Sequence, residues 1–174
     1  QEMIVFIGDR SSGSLFRIEK EGASWSRPVP LGSGIHSNYM ESTASMTPDN
    51  KTIYFASNRP GGYGGMDIYT AQRKADGSWG EPVNLGPSIN TRANEDAPFI
   101  HPNNTLLFFT TDRTGVIGGN DIYKSERIND EWQEPRNMGY PINTVADDSY
   151  FTLIADGTRG YFSSNRKGGL GGQD

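Results

Sequence analysis

The chain repeats itself about every 53 residues, and that repeat limits what it can fold into. The segment from Thr47 to Arg59 (TPDNKTIYFASNR) returns from His101 to Arg113 (HPNNTLLFFTTDR) and from Ile154 to Arg166 (IADGTRGYFSSNR). Gly64-Gly-Met-Asp67 recurs at Gly118 to Asp121 and at Gly171 to Asp174. Trp25, Trp79 and Trp132 keep the same spacing, each with a proline three residues on (Pro28, Pro82, Pro135). Ile35-His-Ser37 matches Ile89-Asn-Thr91 and Ile142-Asn-Thr144, and four residues past each triplet stands an acid: Glu41, Glu95, Asp148. The first copy is partial. Val5 to Arg10 stands for Tyr54 to Arg59, the following turn is four residues shorter, and Ser14 replaces the aspartate. The last copy stops at Asp174. The expected division is a partial blade over 1–40, blades over 41–94 and 95–147, and a partial blade over 148–174.

Each unit predicts four short strands. In the second they are Ala44–Met46, Thr52–Ser57, Asp67–Gln72 and an outer one over Trp79–Leu85. Ile53 and Phe55 alternate with Tyr54 and Ala56, the period of a half-buried strand. Pro82 suits an edge, since it cannot donate to a ladder. Pro48-Asp-Asn50 and Ala75-Asp-Gly77 are turn sequences, and Gly61 to Gly65 reads as a longer hairpin loop. No long segment shows a helical period, so the fold class is all-β. Four-stranded antiparallel units of this length predict a β-propeller of about three blades, or another stacked β array. One blade cannot cover both its faces, so neighbours must. Three units fall below the usual closed ring. Either the chain is a fragment of a longer ring, the favoured reading, or several chains close one together.

The repeat resembles the WD-like repeat of TolB-type β-propellers, on Thr47 to Arg59 and Gly64 to Tyr69. The wider unit, with Trp-x-x-Pro, Leu-Gly-x-x-Ile-Asn-Thr and the acid, is similar to propeller arrays of Bacteroidetes cell-envelope proteins. Some of those belong to type IX secretion and gliding, and many also carry an OmpA-like peptidoglycan-binding domain. The resemblance implies an extracytoplasmic protein, periplasmic or outer-membrane-associated, with protein partners in the cell envelope. This chain has no OmpA-like part, so any peptidoglycan linkage would run through a domain absent from it.

Composition narrows the function. A net charge of −5 without a basic cluster argues against nucleic acid. There is no cysteine, hence no thiolate metal site. No apolar run reaches membrane-span length, and no signal-peptide pattern is visible. Glu41, Glu95 and Asp148, with Asn90 and Asn143, are candidates for a ligand-holding or structural ring, and recurrence favours the structural role. Arg59 and Arg113 are expected to pair with Asp67 and Asp121, and Arg166 with Asp174; Ser14 would leave Arg10 without that partner. Trp25, Trp79 and Trp132 are expected to anchor blade packing. The glycine loops lack the helix or lysine of a phosphate cradle. His36 and His101 are too scattered for a metal site or triad. No catalytic residue, metal or cofactor is predicted. The expected function is a non-enzymatic, protein-binding scaffold. Two alternatives stand beside it. One is a carbohydrate-binding or glycosidase-like propeller, although the Ser-x-Asp-x-Gly-x-Thr-Trp box is absent. The other is the propeller half of a larger hydrolase.

Overall fold

The structure is a computed structural model that describes residues 2–8, 13–154 and 157–174. The expectation for Arg10 lies outside the described residues. Among those residues there is no helix, so none is long and apolar enough to cross a membrane. The first sheet holds β1 (Glu2–Gly8), β2 (Gly13–Glu21) and the short β3 (Ser24–Trp25) and β4 (Val29–Pro30). The second runs β5 (Glu41–Met46), β6 (Thr52–Ser57), β7 (Asp67–Gln72), β8 (Val83–Asn84). The third holds β9 (Glu95–Ile100), β10 (Leu106–Thr111), β11 (Asp121–Ile128), β12 (Glu131–Trp132) and β13 (Arg136–Asn137). The last is β14 (Asp148–Leu153) with β15 (Gly160–Ser164). All pairings are antiparallel between sequence neighbours, except that β4 and β13 reach back to β2 and β11.

Strand alternation sets the packing. Ile53 and Phe55 of β6 face the first sheet and pack with Leu15, Leu31 and Ile35. Tyr54, on the other face, packs with Ile100, Leu107 and Phe109 of the third sheet. One unit on, Leu107 and Phe109 face back while Phe108 faces forward to Phe151 and Phe162. Every core is therefore shared by two sheets, as period-two patterning requires.

Two strand expectations change. β5 begins three residues earlier than predicted, at Glu41, across a bulge between Glu41 and Ala44. The bulge lets the acid end the ladder opposite Ser57. The outer strand shrinks to Val83–Asn84 plus an isolated bridge between Arg73 and Trp79, because the intervening Pro82 has no amide to offer.

The tryptophans also divide. Trp79 is 5% exposed and belongs to the core with the preceding sheet's Leu15, Leu31 and Ile35. Trp132 meets Tyr54 of the preceding sheet edge-on at 6.2 Å. Trp25 is 41% exposed, so packing between sheets does not extend to it: its sheet is the first, and among the described residues none precedes it. Trp79→Ala is expected to cost about 3–5 kcal/mol in urea unfolding, and Trp25→Ala less than about 1 kcal/mol.

Candidate functional site

The recurring acids open the inner strands β5, β9 and β14, and each is 0% exposed. A buried carboxylate must be paired and hydrogen-bonded to be tolerated. Glu95 meets that demand fully. Its Oε2 accepts from the Thr91 amide (2.8 Å). Its Oε1 accepts from Thr91 Oγ1 (2.7 Å), Thr111 Oγ1 (3.0 Å) and Arg113 Nη2 (3.2 Å). Glu41 accepts from Ser14, Ser37 and Arg59, and Asp148 from the Thr144 amide, Thr144 Oγ1 and Arg166. Among the described residues no three acids or histidines come together to hold a metal ion.

The arginines do not pair as the spacing suggested. Arg59 bonds Glu41 at 3.3 Å, Arg113 bonds Glu95 at 3.2 Å and Arg166 bonds Asp148 at 2.6 Å. The same guanidinium nitrogens donate to the carbonyls of Ile35 (2.8 Å), Ile89 (2.7 Å) and Ile142 (2.7 Å). Each ring of aromatic neighbours completes the seat: Arg59 lies over Phe55 and Tyr69, Arg113 over Phe109 and Tyr123. The arginine thus staples the incoming crossover to the next sheet. Asp67 serves the glycine loop instead, accepting from the amides of Tyr63 (2.5 Å) and Gly64 (3.2 Å). Asp121 does the same for Ile117 (2.6 Å) and Gly118 (3.3 Å), and Asp174 for Gly171 (2.8 Å). The physical reason is demand: the fully buried crossover acid needs the guanidinium, whereas the loop aspartate is satisfied by backbone N–H groups and, at Asp67 and Asp121, by the side-chain amides of Asn84 and Asn137.

Asn90 and Asn143 do not join the acids. Asn90 accepts from the Ile68 amide (2.8 Å) and donates to its carbonyl (2.9 Å), acting as a short surrogate strand. Asn143 treats Ile122 alike (2.9 and 2.7 Å).

Two groups of the node are shifted. Burial pulls the Arg59 guanidinium below its ordinary value, against the opposing pull of Glu41. At Asp148 burial raises the carboxyl, but hydrogen bonds from Ser164, Arg166 and Thr144 outweigh it and leave it below the ordinary aspartate value.

One surface feature escaped the sequence reading. Tyr63, Ile117 and Leu170 occupy equivalent places in the three glycine loops, and all are exposed, Leu170 completely. The signal was present as a large apolar residue just before the Gly-Gly pair of each of these three loops. The loops follow the equivalent strands β6, β10 and β15, so the three side chains stand at the same end of their sheets. Val145, on the crossover against which Gly118 packs, is 88% exposed beside them.

Shared cores between successive antiparallel sheets define a β-propeller architecture. Solved structures that resemble it include TolB-type propellers. The protein assigned as TolB from Agrobacterium tumefaciens superposes with a TM-score of 0.64 at 13% identity, over 98% of this chain and 52% of that one. TolB from Acinetobacter baumannii gives 0.58 at 14%, over 97% and 36%. The NanB sialidase from Streptococcus pneumoniae gives 0.51 at 10%, over 94% and 25%. At these identities the likeness is one of fold, and the chain spans about half, or less, of each of these proteins. No family model matches the chain, and no curated protein is similar to it in sequence.

Two outcomes test the node. In a double-mutant cycle, Arg113 and Glu95 are expected to couple by about 1–3 kcal/mol, and Arg113 and Asp121 by less than about 0.5 kcal/mol. Because the folded Asp148 carboxyl titrates below its unfolded value of 3.8, its contribution is present above that pH and is lost as pH falls through the folded value. The stability gap between wild type and Asp148→Asn is therefore expected to close below about pH 4 in acid-unfolding curves.

Proposed function

We propose that the chain is an arc of a β-propeller, divided at 1–40, 41–94, 95–147 and 148–174, that serves as a non-enzymatic, protein-binding scaffold. Its setting is a Gram-negative, Bacteroidetes-type cell envelope, on the extracytoplasmic side, within an outer-membrane or secretion assembly. The observation that carries the reading is the row of exposed Tyr63, Ile117 and Leu170 on successive loops. Exposed apolar side chains at one end of a rigid repeat are what a protein partner recognises. The recurring charges support it too: Glu41, Glu95, Asp148 and their arginines are committed to holding crossovers. The TolB-like fold supports the binding role, and the repeat's resemblance to envelope propellers supports the setting.

The test is site-specific photocrosslinking in cells that make the full protein. Probes replacing Tyr63 and Ile117 are expected to capture one discrete envelope protein, whereas a probe at exposed Val83 on the outer edge should not. Changing Tyr63, Ile117 and Leu170 together to serine is expected to weaken that complex at least about tenfold. Recovery of the protein in the cytoplasm, or equal capture from Val83, would overturn the reading.

A further inference from the structure

The interface between the second and third sheets differs in chemistry from its equivalents. Leu15, Ile68 and Ile122 each pack toward the following sheet, so the residues two and four further along β2, β7 and β11 face the same way. In the first sheet these are Arg17 and Glu19, an ion pair at 3.2 Å. In the third they are Lys124 and Glu126, again paired at 3.2 Å. In the second they are neutral, Thr70 and Gln72. The cross-strand neighbour changes with them. Ile4 stands opposite Arg17 and Phe108 opposite Lys124, but Tyr54 stands opposite Thr70.

The three changes meet in one cavity. It measures about 280 Å³ and lies between the second and third sheets, both of which fall wholly within the described residues. Tyr54, Thr70 and Gln72 line it from one sheet, and Asn104, Arg127 and Trp132 from the other. Tyr54 is only 4% exposed, yet its hydroxyl makes no hydrogen bond among the described residues. A buried tyrosine hydroxyl ordinarily finds a partner. Asn104 Oδ1 is buried and unpartnered as well. An unpaired buried acceptor carries a desolvation cost that no contact within the chain offsets here. Burial raises the Tyr54 hydroxyl above its ordinary value, against the pull of Arg127. It therefore stays protonated at neutral pH and can donate as well as accept.

The remaining groups at the cavity are accounted for. Thr70 Oγ1 donates to the Ile53 carbonyl (3.1 Å). Thr52 Oγ1 donates to Gln72 Oε1 (3.1 Å), which leaves the Gln72 Nε2 hydrogens available. Arg127 is paired with Asp130 at 3.4 Å and lies over the Trp132 ring. Exposed Asp49 already accepts from Thr47 (2.6 Å) and from the Lys51 amide (3.0 Å). Trp132 and Leu85 supply apolar wall.

We propose that this cavity binds a single neutral sugar ring. Hydroxyls on adjacent carbons donate and accept at once. One sugar can therefore give a proton to Asn104 Oδ1, take one from Tyr54 and meet Gln72 Nε2, while its C–H groups lie against Trp132 and Leu85. The size is at the small end of ligand sites, which suits one ring rather than a chain of them. A charged ligand fits less well, because the ion pair of the other interfaces is replaced by neutral groups and Arg127 is already paired. The turn that holds Thr47 and Asp49 stands at the opposite end of β6 from its glycine loop, so the site is independent of the loop-tip surface.

NMR on the isotopically labelled full chain tests it. Titration with glucose, galactose, mannose and N-acetylglucosamine is expected to shift the Trp132 indole N–H signal for at least one sugar, with a Kd near ~1 mM. The Trp25 indole signal should stay in place. Tyr54→Phe installs the residue that the third unit carries as Phe108, and should weaken binding about tenfold. Its melting temperature should fall by no more than about 2 °C, because the hydroxyl holds nothing within the fold. Asn104→Gly suits the left-handed backbone there (φ 61°), as Gly157 does in the last unit (φ 70°), and should weaken binding to a similar degree. Silence with all four sugars would leave the cavity to solvent and overturn the proposal. So would unchanged binding by both variants, a larger loss of stability in Tyr54→Phe, or tighter binding of glucuronate or glucosamine than of glucose.

Discussion

Each sheet in this chain is apolar on both faces, and only another sheet can cover them. That constraint organises everything else. Phe55 and Tyr54 are adjacent in sequence yet belong to different cores, and so are Phe108 and Phe109. Burying one such side chain contributes about 1.5–3 kcal/mol, and each unit places several on either side. Stability therefore accumulates along the stack, and a single unit excised from it would expose as much apolar surface as it buries.

Stacked sheets still need their angles set, and apolar contact is non-directional. The buried acid–arginine node supplies direction. A guanidinium that must satisfy a carboxylate, a crossover carbonyl and a strand hydroxyl at once tolerates one placement of the crossover relative to the strand. Replacing such a pair by apolar residues often leaves stability unchanged. Its value here is positional: the same three contacts recur at Arg59, Arg113 and Arg166, so successive sheets enter with the same geometry.

Much of this was legible in the sequence, and the failures share a cause. The limits of β6 and β7 and the two faces of β6 follow from period-two patterning, which is local. The arginine partner does not. Asp67 and Glu41 both recur once per unit, and recurrence says only that each solves a problem in every unit, not which of them the arginine reaches. The choice depends on burial: Glu41 lies under a crossover that folds back from the preceding unit, a contact between segments 18 residues apart. Trp25 failed for a related reason. Its role depends on the sheet before it, and one residue's motif cannot report what stands on the other side.

The repeat also supplies a way to separate structure from function without any alignment. A side chain that recurs and is buried, such as Glu95 or Asn90, is explained by packing and hydrogen bonding alone. A side chain that recurs and is exposed, such as Ile117, gains nothing for the fold by being apolar, so its cause lies outside the chain. A position that departs from the repeat is different again. Ser14 and His36 replace the amide-to-carboxylate chain that holds the glycine loop elsewhere. Losing those bonds carries a cost in stability. The first crossover keeps its acid, Glu41, and its stapling arginine, Arg59, while Ser14 bonds both Glu41 and His36 in place of that chain. The change is concerted: three network positions and one loop length differ together, so the first crossover is held by a different set of bonds from the later two.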